Sequence, residues 1–263
     1  DYIFTFKYLT YILKRTLFKI KRKNEIMKNL KSVSLMFPVY KDRRTIKKMI
    51  LKSLRVLKNT KKKFEIIIVD DGCPENSGHY AKKLSKNISS VKVIFHKKNL
   101  GYGAALKTGI KNCKYDWIFQ TDGDAEYDVN DLFRLIKSSS NSDLVITYRY
   151  KKKYNTARII ISWVYNVLLR MLFNTNFRDI STGSRLFKRS ILKKIKLNAN
   201  SPFLGAELAI KAKLNGLNVN EIGIHTYPRT FGTGSSVSFK NIMLTIRDMS
   251  ILFFKINLKI NEK

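Results

Sequence analysis

Between Ser32 and Tyr148 short apolar runs alternate with segments of helical period. SVSLMF (32–37) precedes RRTIKKMILKSLRVLKN (43–59), in which Ile46, Met49, Ile50, Leu54 and Leu57 fall on one face, and FEIIIV (64–69) follows. VKVIF (91–95), the helix-like GAALKTGIKN (103–112), DWIFQ (116–120), VNDLFRLIKS (129–138) and DLVITY (143–148) continue the alternation. Strand and helix repeated in this way predict an α/β fold, a mostly parallel sheet with helices on both faces. Ligands bind such sheets beyond the carboxyl ends of the strands. Those ends carry the polar signals here: Pro38, Tyr40 and Asp42 after the first run, Asp70, Asp71 and Gly72 after the second, Asn99, Gly101 and Gly103 after the third. DWIFQ is followed by Asp122, Asp124, Glu126 and Asp128 at alternate positions. Four strand ends are therefore predicted to converge on one crevice.

The second half is patterned differently. RIIISWVYNVLLRMLF (158–173) holds eleven residues without a charge between Arg158 and Arg170. As a helix that stretch is roughly 16 Å long, against a hydrocarbon core of about 30 Å, so it does not span a bilayer unaided. It is expected either as a core helix or as an interfacial one with Trp163 and Tyr165 at headgroup level. The first thirty residues, with eight basic and two acidic side chains, and SFKNIMLTIRDMSILFFKINLKI (238–260) mix aromatic, aliphatic and Lys residues in the same way. Such flanks suit an anionic membrane surface or packing on the domain.

Composition changes this picture in two respects. At 263 residues and 44% hydrophobic the chain can bury a full core. Its 52 Lys plus Arg against 19 Asp plus Glu leave a formal net charge of +33, which attracts nucleic acid and anionic membrane alike unless it reflects a composition bias. A basic nucleic-acid module needs aromatic residues interleaved with Lys on one sheet face; here the aromatics gather in the flanks and acids crowd the crevice, so no specific nucleic-acid partner is expected. Cys73 and Cys113 are the only cysteines, too few for a disulfide scaffold and without metal-ligand spacing, which points to a reducing, cytosolic setting. No signal peptide is readable in the opening residues.

The acid run is the main chemical clue. Residues two apart share a face when the backbone is extended, and like charges so placed repel unless a cation stands before them. Oxygen ligands without His or Cys select hard divalent cations, Mg²⁺ or Mn²⁺, which complete their shells with water and substrate phosphates. The candidate ligands are the acids of this run, Asp122, Asp124, Glu126 and Asp128, of which Asp128 is also expected to cap the helix beginning at Val129. A phosphorylated ligand follows from this chemistry.

VSLMFPVYKD, IIIVDDG, NLGYGAALKTGI, QTDGDAEY, DISTGSRLFKR and YPRTFGTGSS, in that order from about Ser32 to Ser236, resemble the motifs of inverting GT-A-fold glycosyltransferases of family 2. They are most similar to those of polyprenyl-phosphate glycosyltransferases, the group that includes dolichyl-phosphate mannose synthase. The resemblance implies a GT-A (Rossmann-like) domain over 31–236, with a basic amphipathic flank at 1–30 and an amphipathic C-terminal helix at 237–263. It implies a nucleoside-diphosphate sugar bound by Pro38, Tyr40, Asp42, Asp70 and Asp71, with Asp71 reading the base. Asp122 and Asp124 become the metal-binding acids, and Glu126 stands where the family usually has an amide. Gly101 and Gly103 allow backbone to approach the substrate closely.

The acceptor divides the readings. A lipid phosphate is ionised at neutral pH and needs only cations to hold it. Arg149, Arg158 with Ser162 one helical turn on, and Arg229 with Ser235 are candidates, and the Arg158–Ser162 pair resembles the acceptor-phosphate clamp of the family. GTGSS carries one residue more before Ser235 than the family pattern. A saccharide hydroxyl would instead need a general base, for which Glu207 is the candidate, with packing its bland alternative. Arg185 is expected to brace the domain. The chain shows no C-terminal transmembrane hairpin, so a polyprenyl phosphate at the cytosolic membrane face would be reached through surface helices or a membrane-protein partner.

Overall fold

The computed structural model describes residues 30–150, 156–229 and 238–258. Most of the basic N-terminal flank, and Ser235, lie outside the described residues. Every run predicted as a strand is one: β1 (Ser32–Val39), β2 (Lys63–Asp70), β3 (Val91–Phe95), β4 (Trp117–Gln120) and β5 (Leu144–Arg149). Two more, β6 (Arg185–Lys188) and β7 (Val219–Ile224), complete a seven-stranded sheet in the order β3-β2-β1-β4-β6-β5-β7. The helices are α1 (Arg43–Lys58), α2 (Ser77–Leu84), α3 (Tyr102–Asn112), α4 (Leu132–Ser138), α5 (Thr156–Phe173), α6 (Leu204–Leu214) and α7 (Phe239–Asn257).

β1, β2, β3 and β4 are mutually parallel, as are β5 and β7, but β6 runs antiparallel to both of its neighbours. Gln120 at the end of β4 pairs with Arg185 at the start of β6. The crevice edge of the sheet therefore receives carboxyl ends from most strands and the amino end of β6.

The sheet is buried on both faces, as its apolar runs require. One layer packs Phe37, Ile46, Met49, Phe119, Leu132 and Leu186 beneath α1 and α4; the other packs Met36, Ile67, Leu106, Phe187, Phe203 and Leu208 beneath α3, α6 and α7. α5 is no core helix. Only Asn166, Leu169 and Phe173 on it are buried, while Trp163 is 62% and Met171 77% exposed. Tyr165, expected beside Trp163 at headgroup level, is instead partly buried against the core. Two positions along a helix place side chains on nearly opposite faces, which separates the pair.

Asp70 also differs from expectation. It does not line the crevice; its carboxylate accepts from the N–H of Cys73 in the loop after β2 at 2.7 Å and from that of Gly78 in the first turn of α2 at 2.6 Å. Asp70→Ala strands both amides in a buried site, so urea unfolding should show a stability loss of about 2–3 kcal/mol. The effect on folding should precede any effect on ligand binding.

Candidate active site

The strand ends enclose a crevice of about 580 Å³ lined by residues from both halves of the sheet. From the β1, β2, β3 and β4 ends come Pro38, Tyr40, Asp42, Asp71, Gly101, Asp122, Asp124 and Glu126; from β5, α5 and β6 come Arg149, Arg158 and Arg185, and Arg229 lies over the acids. Lys240 and Arg247 of α7 add to the cationic groups.

The acid segment is not extended. Gln120 ends β4, and a turn with Ala125 at φ 64° carries the chain through Asp122 and Asp124 before Tyr127 bridges to Thr226. Alternation therefore does not put four acids on one face. Asp122, Asp124 and Glu126 enter the crevice, whereas Asp128 accepts from the N–H of Asn130 and pairs with Lys52 at 2.8 Å. The Tyr127 bridge, with the Tyr227 N–H donating to the Glu126 carbonyl, draws the segment carrying Arg229 over the acids. Arg229 reaches Asp42 at 2.9 Å and Asp124 at 3.7 Å. An arginine expected on the acceptor side is thus the counter-ion of the acids.

Burial, above all, pushes the Asp122 carboxyl up to about 6, against the hydrogen bond from the Tyr102 hydroxyl at 2.6 Å and with the Glu126 charge adding to the rise. Burial, then the charges of Asp122 and Glu126, push Asp124 up to about 8. Burial works against the Arg229 charge, but the carboxylates of Asp124 and Asp42 overcome it and raise its pKa. Carboxyls crowded into holding protons in this way are relieved when a hard cation takes the place of those protons, which is a fit for such an ion. Among the described residues, however, no three acidic, His or Cys side chains form a ready cage. Asp122, Asp124 and Glu126 thus do not by themselves form a three-acid cage; Mg²⁺ characteristically takes one or two carboxylates and shares the ion with ligand phosphates.

Asp71 is held rigidly. Its Oδ1 accepts from the Leu100 N–H at 2.9 Å and faces His96 Nδ1 at 2.7 Å, its Oδ2 accepts from the Gly101 N–H at 2.9 Å, and His96 Nε2 meets Thr108 Oγ1. Arg149 forms a fork with Asp179 through Nε at 2.7 Å and Nη2 at 2.9 Å, and its Nη2 also donates to Ser181 and, at 3.4 Å, to Ser162. Arg158 and Ser162 both lie on α5, and Arg158 lines the crevice. Arg185 is buried, donating to the carbonyls of Gly205 and Thr182, so it does brace the floor, yet it also borders the crevice. Gly183 leaves room for Asp122: a Cβ there would lie 2.0 Å from its Oδ2.

Glu207 is withdrawn from the crevice. Its carboxylate is 2% exposed, accepts from the N–H groups of Asn198 and Ala199 and pairs with Lys211 at 3.0 Å. Sequence reasoning passed over His96, Tyr102, Lys240 and Arg247. The aromatic between two glycines in NLGYG was the available signal for Tyr102; no local pattern marks the other three.

Comparison with known proteins agrees with this geometry. The pattern of the family described as Glycosyl transferase family 2 matches residues 34–196. The chain belongs to that family. It is accordingly a glycosyltransferase, and the mixed sheet with helices on both faces is the GT-A fold. It is 25% identical over 223 residues to the undecaprenyl-phosphate 4-deoxy-4-formamido-L-arabinose transferase of Salmonella choleraesuis, covering 84% of this chain and 67% of that protein. Glucosyl-3-phosphoglycerate synthase from Mycobacterium tuberculosis, solved with Mn²⁺, uridine diphosphate and phosphoglyceric acid, superposes with a TM-score of 0.65 at 13% identity, over 89% of this chain and 81% of that one. The same enzyme with Mn²⁺ and uridine-diphosphate-glucose gives a TM-score of 0.63 at 13% identity, over 88% and 81%.

The raised carboxyls set a pH dependence. Between the ordinary Asp value of 3.8 and about 6 for Asp122 or about 8 for Asp124, the folded state binds more protons than the unfolded one. Their contribution to stability therefore falls as pH rises through that window. A divalent cation takes the deprotonated forms and releases protons, so its stabilising effect must grow with pH. Thermal unfolding should show a Mn²⁺-dependent rise of roughly 3 °C or more at about pH 8 and little at about pH 5.5. Asp124→Asn should remove most of the difference.

Proposed function

We propose that this glycosyltransferase moves one hexose, with inversion, from a nucleoside-diphosphate sugar to a polyprenyl phosphate at the cytosolic face of a membrane. The observation that carries the reading is that one crevice is lined by Asp42, Asp71, Asp122, Asp124 and Glu126 from strand ends and also by Arg149, Arg158, Lys240 and Arg247 from β5, α5 and α7. A donor bound through a cation and an acceptor bound as an anion call for both kinds of group. The undecaprenyl-phosphate transferase among the relatives supports the same acceptor class.

In this reading Pro38, Tyr40, Asp42 and Asp71 hold the nucleoside. Asp71, fixed by the Leu100 and Gly101 amides, keeps lone-pair capacity for a base N–H. Asp122 and Asp124 are the carboxylates for Mg²⁺ or Mn²⁺, which when bound offsets the charge growing on the departing diphosphate. Arg158, with Arg149 and Ser162 beside it, receives the acceptor phosphate, whose oxygen attacks the anomeric carbon from the face opposite the leaving group. Phosphate oxygen needs no deprotonation at neutral pH, so no general base is required. That favours a lipid phosphate over a saccharide hydroxyl, because Glu207, the acid assigned to a hydroxyl acceptor, is engaged in holding backbone.

α5 and α7 supply the membrane contact. α5 is 18 residues long with a mean hydropathy of 1.3, and only 17% of it is buried. It runs about 27 Å, close to the thickness of a hydrocarbon core of about 30 Å, but Asn166, Leu169 and Phe173 bind it to the domain, so it lies along the surface. Phe173 meets Phe253 of α7 with ring centroids 6.3 Å apart, and both helices expose apolar side chains. Basic residues nearby favour anionic lipid.

The test is transfer of labelled hexose from a panel of uridine- and guanosine-diphosphate hexoses into organic-extractable short-chain polyprenyl phosphate with Mn²⁺. Label should enter the lipid and fall at least about 100-fold in Asp124→Asn or with chelator. Donor hydrolysis without lipid label would move the acceptor to a glycan hydroxyl. Separately, Trp163→Glu with Met171→Glu should weaken co-sedimentation with anionic vesicles by about tenfold or more, since each side chain forfeits roughly 1.5–3 kcal/mol of burial; unchanged sedimentation would remove α5 from the membrane contact.

A further inference from the structure

α7 serves the crevice as well as the surface. Lys240, Asn241, Leu244 and Arg247 line the crevice, while Met243, Ile246, Ile251 and Phe254 are exposed on other faces of the helix. Asp248 belongs to neither set. It is buried, its Oδ2 accepts from the N–H groups of Asn200 at 3.0 Å and Ser201 at 3.1 Å, and its Oδ1 takes the Arg247 guanidinium at 2.7 Å. Glu207 holds the two preceding amides, those of Asn198 and Ala199. Four successive backbone donors are thus captured by carboxylates from two helices. Carboxylate-to-amide bonds are among the stronger ones a protein makes, so the segment has little freedom.

That segment forms a wall of the crevice. Asn200 and Pro202 line it, and the Asn200 carbonyl accepts from the Gly103 N–H at 3.1 Å. The approach is so close that a Cβ on Gly103 would lie 2.5 Å from the Asn200 carbonyl carbon. The 100–103 segment in turn touches both groups of acids: the Leu100 and Gly101 amides donate to Asp71, and the Tyr102 hydroxyl donates to Asp122. A displacement of Asn200 is therefore transmitted to the nucleoside end and to the diphosphate end of the crevice together.

We infer that Asp248 is a positioning residue for donor binding: from α7 it fixes the Asn200–Ser201 backbone against Gly103, and so sets the 100–103 segment that orients Asp71 and Asp122. The inference rests on the reading of the crevice as a nucleoside-diphosphate-sugar site. Both amides converge on a single Asp248 oxygen, so the side-chain oxygen of Asn can replace it, giving up only the Arg247 contact on the other oxygen, whereas Ala holds neither amide.

The test uses the full chain and titrates uridine diphosphate and guanosine diphosphate in the presence of Mn²⁺, with donor KM and kcat measured for the nucleotide that binds. Asp248→Ala should weaken nucleotide binding and raise donor KM by about tenfold, with kcat within about twofold. Asp248→Asn should stay within about twofold of wild type on all three. Gly103→Ala displaces the same wall from the other side and should reproduce Asp248→Ala, which keeps the test decisive if thermal unfolding shows that Asp248→Ala does not fold. Wild-type affinity in a folded Asp248→Ala or in Gly103→Ala, or equal weakening in Asp248→Asn and Asp248→Ala, would overturn the inference. Absence of nucleotide binding by the wild type would instead overturn the donor-site reading, and the positioning role with it.

Discussion

Like charge gathered in a buried place is the constraint to which this molecule is built. Asp42, Asp122, Asp124 and Glu126 share one crevice, and desolvation together with mutual repulsion raises the Asp122 and Asp124 carboxyls far above their ordinary range. The surroundings respond to that cost. Tyr102 donates to Asp122, and Arg229 spans Asp42 and Asp124. Such a site is held together by these partners and by the protons its raised carboxyls retain, and the proposed cation would take the place of those protons.

The sheet brings chemically opposite groups to the same place by reversing one strand. Parallel strands β1, β2 and β4 deliver acids from their carboxyl ends. β6, antiparallel between β4 and β5, brings the start of its own strand to that edge, so the residues before it, Ser181, Thr182 and Gly183, line the crevice together with Arg185. Asp179, just upstream, orients Arg149 from the end of β5. The cationic groups thus depend on the reversal as much as the acidic ones depend on the parallel strands.

The net charge of +33 acts at longer range than any of these contacts. A field of that size attracts anionic surfaces, and α5 and α7 expose apolar faces beside it. Because α7 also lines the crevice and holds its wall, the helix proposed for the membrane contact and the chemical site are a single packed body.

The sequence by itself determined the strand-and-helix alternation of the first half, the convergence of polar residues at strand ends, and the acid cluster, because these are local: periodicity and the end of a strand can be read residue by residue. Family membership was equally legible in the spacing of six motifs. Only the tertiary structure decided the direction of β6, since neighbours 39 to 71 residues away, Ile146 opposite Arg185 and Trp117 opposite Lys188 at the extremes, select an orientation that a four-residue strand does not encode. It also decided which charges meet. Arg229 lies 187 positions from Asp42 and pairs with it because the Tyr127–Thr226 bridge brings the Arg229 segment to the acid turn, and that turn is tied to the helix after Asp42 by the Thr45 hydroxyl on the Gly123 carbonyl. Asp70 and Glu207, acids in suggestive motifs, were turned to unpaired backbone amides, which no sequence pattern distinguishes from a substrate. An isolated carboxylate has the same chemistry in every context; its partner is supplied by the fold.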